Sequence, residues 1–163
     1  SERYLSVASA VRLIVSGDMA VPNRDGYVFV HDGARPFLTE EILQDTYEAV
    51  CKYGACVSAV RSKDTVKIAD EEGFVSQTPD RNLIWNMHTP QVFETGIIAK
   101  AYAALEKNIE KVRQENIHIT DDAMVVEYFT DHRVKLVEGS YENIKLTTPE
   151  DLVVAEKNLK KNR

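Results

Sequence analysis

The sequence predicts an α/β domain built on a parallel sheet. Two observations carry that prediction. Tyr27-Val28-Phe29-Val30 is a β-branched and aromatic run that stops abruptly at His31-Asp32-Gly33-Ala34-Arg35-Pro36, a polar turn closed by proline. A buried parallel strand ends in this way where it delivers side chains to a functional edge. A helical stretch beginning near Glu40 then leads into a second apolar strand, Ala55 to Val60. Strand, helix and strand at this spacing form a parallel crossover unit. The length of 163 residues suits one domain, 1–163, large enough to bury a core without staples.

Taken in order, Ser1 to about Gly17 reads as a helix, with Leu5, Ala8, Val11 and Ile14 near helical spacing. Residues 18–26 are a polar loop before the first strand. Thr39 is a good N-cap for the next helix, and Glu40 and Glu41 suit its positive end. Its apolar stripe is Ile42, Leu43, Tyr47 and Val50, and Gly54 is placed to end it. Residues 61–83 break the pattern: Asp64 to Ile68 alternates, Glu71-Glu72-Gly73 turns, and Phe74 to Thr78 alternates again. This is a hairpin arm, too poor in core to stand alone, which projects and packs on something such as a second subunit. His88 to Phe93 is a short strand entered through Pro90, and Thr95 caps a helix carrying Ile97, Ile98, Ala101, Tyr102 and Leu105. Residues 106–117 read as a solvated helix end and loop. Thr120-Asp121-Asp122 caps a further helix, with Thr120 as its N-cap, and Val134 to Val137 is a strand. Asn143 to Leu146 is a short strand or extended segment. Thr148-Pro149-Glu150-Asp151 is a compact helix start, and Leu152, Val153, Ala155 and Leu159 give the last helix an apolar face.

Composition excludes several functions. A net charge of -6 argues against a broad surface for nucleic acid or anionic membrane, though not against one basic pocket. No apolar run is long enough to cross a bilayer, and no leader is recognisable. Cys51 and Cys56 lack CxxC spacing and read as reduced, buried and structural, which points to the cytoplasm. His31, His88, His118 and His132 lack metal-ligand spacing, so no zinc site is expected.

The turn after the first strand carries the chemistry. In open α/β sheets ligands sit outside the carboxyl ends of the strands. There Asp32 suits a metal ion or hydroxyl, and Arg35 a phosphate. The alternative is a turn in which Asp32 caps the following backbone and pairs with Arg35.

Several motifs then fall in one order: Glu2-Arg3-x-x-Ser6-Val7, His31-Asp32-Gly33-Ala34-Arg35-Pro36, Asp64-Thr65-Val66-Lys67, Asp80-Arg81-Asn82-x-x-Trp85, Thr89-Pro90-Gln91, Thr120-Asp121-Asp122 and Asn143-Ile144-Lys145-Leu146-Thr147. The series resembles the 2-C-methyl-D-erythritol 4-phosphate cytidylyltransferases over nearly the whole chain. The resemblance implies a Rossmann-like nucleotidyltransferase sheet with flanking helices and a projecting β-arm, about 61–83, that clasps a partner in a homodimer. It implies that CTP and methylerythritol phosphate are joined with Mg²⁺ and pyrophosphate is released, in non-mevalonate isoprenoid synthesis. By the same resemblance Lys145 and Arg81 are catalytic. Arg3, Ser6, Asp32, Ala34 and Lys145 bind the nucleotide, and Asp32 also meets the metal. Asp32, Arg35, Thr65, Arg81, Thr89 and Thr120 bind the substrate, with Thr65 and Arg81 reaching it in the neighbouring subunit.

Each of these residues has a plainer explanation: a helix serine at Ser6, a strand residue at Thr65, a turn residue at Thr89, an N-cap at Thr120, a solvated lysine at Lys145. The family's first strand and its glycine-rich loop have no counterpart in the sequence, which reads as if it begins partway through such a protein. Ribitol 5-phosphate cytidylyltransferases share several of the motifs. A catalytically silent fragment that only dimerises through its arm is the alternative from outside the enzymes.

Overall fold

The computed structural model describes residues 3–16 and 25–161. Most of the loop expected at 18–26 therefore lies outside the described residues, as do the side chains of Arg3 and Lys161. The elements run α1 (Arg3–Ser16), β1 (Tyr27–Val30), α2 (Glu40–Tyr53), β2 (Ala55–Arg61), β3 (Ile68–Ala69), β4 (Val75–Gln77), a 3₁₀ turn at Arg81–Leu83, β5 (Trp85–Glu94), α3 (Thr95–Lys107), α4 (Ile109–Gln114), α5 (Asp122–Phe129), β6 (Lys135–Glu138) and α6 (Pro149–Lys161).

Among the described residues the main sheet has the order β1-β5-β2-β6. Strand β5 runs antiparallel to both β1 and β2, while β2 and β6 are parallel. So β1 and β2 do point the same way, as a crossover unit requires, but β5 is inserted between them. Local pattern reveals a strand and its direction; which strand lies beside it is decided by side chains far away in sequence. The fully buried strand is β2, whose residues from Ala55 to Val60 are all inaccessible. β1, expected to be buried, is paired on one side only among the described residues, and Tyr27 and Phe29 are each 38% exposed.

Helices cover both faces of the sheet. On one, Ala55, Val57, Ala59 and Phe93 pack against Ile98, Ala101, Tyr102 and Leu105 of α3 and Val125 and Val126 of α5. On the other, Cys56 and Val92 meet Val50 of α2. The period-2 alternation of β2 thus sends successive side chains to different helical layers. Burial pushes the Cys56 thiol up to about 12, and its sulfur donates to the Thr46 carbonyl at 3.2 Å. Cys51, also expected to be buried, is exposed.

The helix punctuation is local and was readable. Thr39 accepts from the Ile42 N–H, and Gly54 closes α2 in the left-handed region at φ 73°. Asp151 accepts from the Thr147 and Thr148 N–H groups, each at 2.8 Å, completing the start of α6. Two caps differ from expectation. Asp121, rather than Thr120, caps α5 by accepting from the Met124 N–H. Thr95 caps nothing; its hydroxyl donates to the Gly26 carbonyl at 2.8 Å and ties α3 to the start of β1. Apolar stripes fared less well. In α2 the buried line is Ile42, Thr46 and Val50, with Leu43 and Tyr47 outside. Among the described side chains of α6 only Ala155 is buried, while Leu152, Val153 and Leu159 stay exposed. The segment 106–117, expected to be solvated, contains α4 and buries Val112.

The arm is present and shorter than its sequence signal. Only Ile68–Ala69 and Val75–Gln77 pair, as a separate two-stranded sheet whose residues are all exposed. Asp70 organises the turn by accepting from the Glu72 and Phe74 N–H groups, and Gly73 supplies a φ of 87°. Phe74 and Val75, 68% and 60% exposed, face outward at its tip.

Gly54 joins α2 to β2 where a side chain has no room. A Cβ there would lie 2.8 Å from Ile97 Cδ1 and 2.9 Å from His132 Nε2. Gly54→Ala is expected to destabilise the fold by at least about 1–2 kcal/mol from the left-handed backbone alone, read as a lower midpoint of urea unfolding.

Candidate active site

Register builds the site. Val30 lies opposite Gln91 in the antiparallel pair of β1 and β5. Continuing the register by two residues sets Asp32 beside Thr89, and the Asp32 N–H donates to the Thr89 hydroxyl oxygen at 3.1 Å. Asp32 therefore stands just beyond the carboxyl end of β1. Its carboxylate lies 3.0 Å from Lys145 Nζ and 3.7 Å from Arg35 Nε. Lys145 arrives on the extended segment after β6, which the Leu146 N–H fastens to the Ala34 carbonyl at 2.8 Å.

Asn143 anchors that segment. It is fully buried; its side-chain amide donates to the Thr89 carbonyl at 2.9 Å, and its own carbonyl accepts from Arg35 Nη1 at 2.7 Å. Gln91 does the same for α5. Buried in β5, it donates to Asp121 Oδ2 at 3.0 Å and accepts from the Ala123 N–H at 2.9 Å. That places Thr120 and Asp121 on the same rim. Asp122 turns inward instead and accepts from the Tyr102 hydroxyl.

The result is a cavity of about 240 Å³ lined by Asp32, Arg35, His88, Thr89, Thr120 and Lys145, with Met87, Gln91 and Asp121. Its charges alternate, two cations against two carboxylates, which suits a ligand bearing both phosphate and hydroxyl groups. A larger and mainly apolar cavity of about 620 Å³ between α1 and α3 shares none of these residues. Burial holds the Arg35 pKa below its usual range, and Asp32 opposes the shift. Burial, then Arg35, holds His88 down at about 4, so its imidazole is neutral at physiological pH. Lys145 is 44% exposed, so its ion pair adds about 0–1 kcal/mol to folding, and stability alone does not explain its position.

Of the residues singled out from sequence, Asp32, Arg35, Thr89, Thr120 and Lys145 come together here, and Ala34 abuts them through Leu146. Ser6 is exposed on α1 and Arg3 has no described side chain. Thr65 and Arg81 are exposed on the arm, where Arg81 donates to the Lys63 carbonyl at 3.4 Å; neither lines the cavity of its own chain. Among the described residues no three His, Cys, Asp or Glu side chains cluster as a metal site. The single carboxylate of Asp32 still fits a magnesium ion completed by phosphate oxygens and water, the way that ion is commonly held. Sequence reasoning missed Asn143, Gln91 and His88. A polar residue inside the apolar run Gln91-Val92-Phe93 was the available signal.

His88 gives a pH dependence with a definite sign. The unfolded chain takes up its proton near the ordinary value of 6.5, the folded chain only near 4. This part of the stability is complete above pH 6.5 and is lost as pH falls toward 4. Melting temperature should therefore decline less between pH 7 and pH 5 in His88→Gln than in the unsubstituted protein.

The comparisons with known proteins agree with one another. The sequence profile of the 2-C-methyl-D-erythritol 4-phosphate cytidylyltransferase family matches residues 2–161. A curated relative of that name from Caldanaerobacter subterraneus is 48% identical over 160 residues, and one from Lachnoclostridium phytofermentans is 42% identical over 163. They align with 98% and 100% of this chain, which spans 64% of the length of each. A solved 4-diphosphocytidyl-2C-methyl-D-erythritol synthase from Anaerococcus prevotii superposes with a TM-score of 0.80 at 37% identity, over 98% of this chain and 67% of that one. The Francisella tularensis 2-C-methyl-D-erythritol 4-phosphate cytidylyltransferase does so with a TM-score of 0.78 at 32% identity, over 96% and 68%. With the family profile matching residues 2–161 and curated relatives of that name at 42% and 48% identity over nearly all of its length, the chain belongs to the 2-C-methyl-D-erythritol 4-phosphate cytidylyltransferase family.

Proposed function

We propose that the protein carrying this chain joins CTP to 2-C-methyl-D-erythritol 4-phosphate and releases pyrophosphate, a step of non-mevalonate isoprenoid synthesis in the cytoplasm. The observation that carries the reading is the cavity in which Lys145 and Arg35 flank Asp32, at the carboxyl end of β1, in a chain of this family. The substrate phosphate attacks the α-phosphorus of CTP in line, and the pyrophosphate leaves. Such a transfer asks the protein for alignment and positive charge more than for covalent chemistry. Lys145 holds its ammonium where charge builds on the reacting phosphate. Arg35, fixed by Asn143 and Met87, keeps a second cation at the cavity wall. Asp32 orients Lys145 and receives ribose or substrate hydroxyls. A magnesium ion, when bound at Asp32, would neutralise phosphate charge. Ser6, and Arg3 in the same sequence motif, bind the nucleotide.

We also propose a homodimer joined through the arms. The exposed Phe74 and Val75 at the arm tip are apolar surface suited to burial on a partner. In the dimer Thr65 and Arg81 enter the partner's cavity and meet the substrate phosphate.

Pyrophosphate release by the intact protein from CTP, Mg²⁺ and methylerythritol phosphate tests the reading; no release, or a preference for ribitol 5-phosphate, overturns it. Lys145→Ala should lower turnover by about 10²–10³-fold, the scale of losing one group that stabilises the transition state, while shifting the melting temperature little. The role of the arm has its own signature. Arg81→Ala and Lys145→Ala proteins, each inactive, should regain about a quarter of the full rate after subunits are mixed and exchanged, because half the dimers are mixed and one of their two sites is intact. Failure to regain activity would place Arg81 in the site of its own chain or outside catalysis.

A further inference from the structure

His31 lies next to Asp32 but outside the cavity wall, and its two ring nitrogens are both engaged. Nε2 is 3.0 Å from the Arg35 carbonyl oxygen, and Nδ1 is 2.9 Å from the Thr89 hydroxyl. A carbonyl only accepts, so Nε2 carries a proton. The Thr89 oxygen already accepts from the Asp32 N–H. Thr89 is only 3% exposed, and the acceptor in reach of its own proton is His31 Nδ1. A buried hydroxyl that left its proton without an acceptor would be penalised. With the ring neutral, one arrangement satisfies every group: Asp32 N–H donates to Thr89, Thr89 O–H donates to Nδ1, and Nε2–H donates to the Arg35 carbonyl.

We propose that His31 is a positioning residue that fixes the hydrogen-bond polarity of Thr89. With its proton committed to His31, Thr89 turns only a lone pair toward the cavity it lines. It therefore receives a hydroxyl of the substrate and disfavours a phosphate oxygen, which is left to the cations of the cavity and to the arm that enters it from the partner. This assigns the polyol part of the substrate to the Thr89 side and the phosphate to the cationic side. The inference rests on the function proposed above, and deepens it.

Two measurements on the intact protein test it. Nitrogen-15 NMR of the histidine rings reads the tautomer without reference to activity: His31 should carry its proton on Nε2, and a proton on Nδ1 would overturn the proposal. In kinetics, His31→Leu should raise KM for methylerythritol phosphate about tenfold and leave KM for CTP unchanged, the scale of one lost hydrogen bond. His31→Asn, which keeps an acceptor near the Nδ1 position, should restore most of the loss. An unchanged KM for methylerythritol phosphate in His31→Leu, or an equal loss for both substrates that Asn does not restore, would also overturn it. If the unsubstituted protein released no pyrophosphate, the proposed reaction would fail while the ring spectrum would still decide the tautomer.

Discussion

Strand β5 has to satisfy two neighbours at once, and the rest of the molecule follows from how it does so. It pairs with β1 on one side and β2 on the other, antiparallel to both. Val92 and Phe93 send their side chains to opposite helical layers, so the register of β5 is pinned by burial on both faces. A slip of one residue would exchange those faces and bring Gln91 or Glu94 to the apolar contacts. With the register pinned, the polar residues of the same strand have no freedom either. Thr89 falls beside Asp32, and Gln91 beneath the start of α5.

The site is thus an outgrowth of sheet pairing. The cavity residues come from the turn after β1, from β5, from the start of α5 and from the segment after β6, and the last two are tied to β5 or to that turn by named bonds. Asn143 ties the Lys145 segment to Thr89, Gln91 ties the Thr120 corner, and Leu146 ties Lys145 to Ala34. Asn143, Gln91 and Thr89 are buried, where an unpaired donor or acceptor is costly. That cost makes the geometry specific, because alternative placements of the loops would strand several groups at once.

Much of this was legible in the sequence, and what was not has a physical reason. Helix punctuation such as Thr39, Gly54 and Asp151 is written within a few residues and reads directly. The turn that presents Asp32 and Arg35 was equally local. Which strand separates β1 from β2 is not local, and the apolar run of β1 looked the same whether buried or at an edge. Leu43, Tyr47 and Leu152 follow helical spacing yet remain outside, because periodicity records a face without recording what covers it. Asp121 displaced Thr120 as a cap because two adjacent residues with capping side chains offer the same signal. The roles of Asn143 and Gln91, both present in the motifs, were not legible because a buried amide and a solvated one are the same letter.

The double grip of Asn143 ties the two cations of the cavity to one event. Its carbonyl holds Arg35, its side chain holds β5, and Lys145 lies two residues further along the same extended segment. A local opening of that segment would withdraw Lys145 and at the same time remove from Arg35 its bond to the Asn143 carbonyl. The two cations of the cavity are therefore coupled through one short segment, which carries one of them and holds the other.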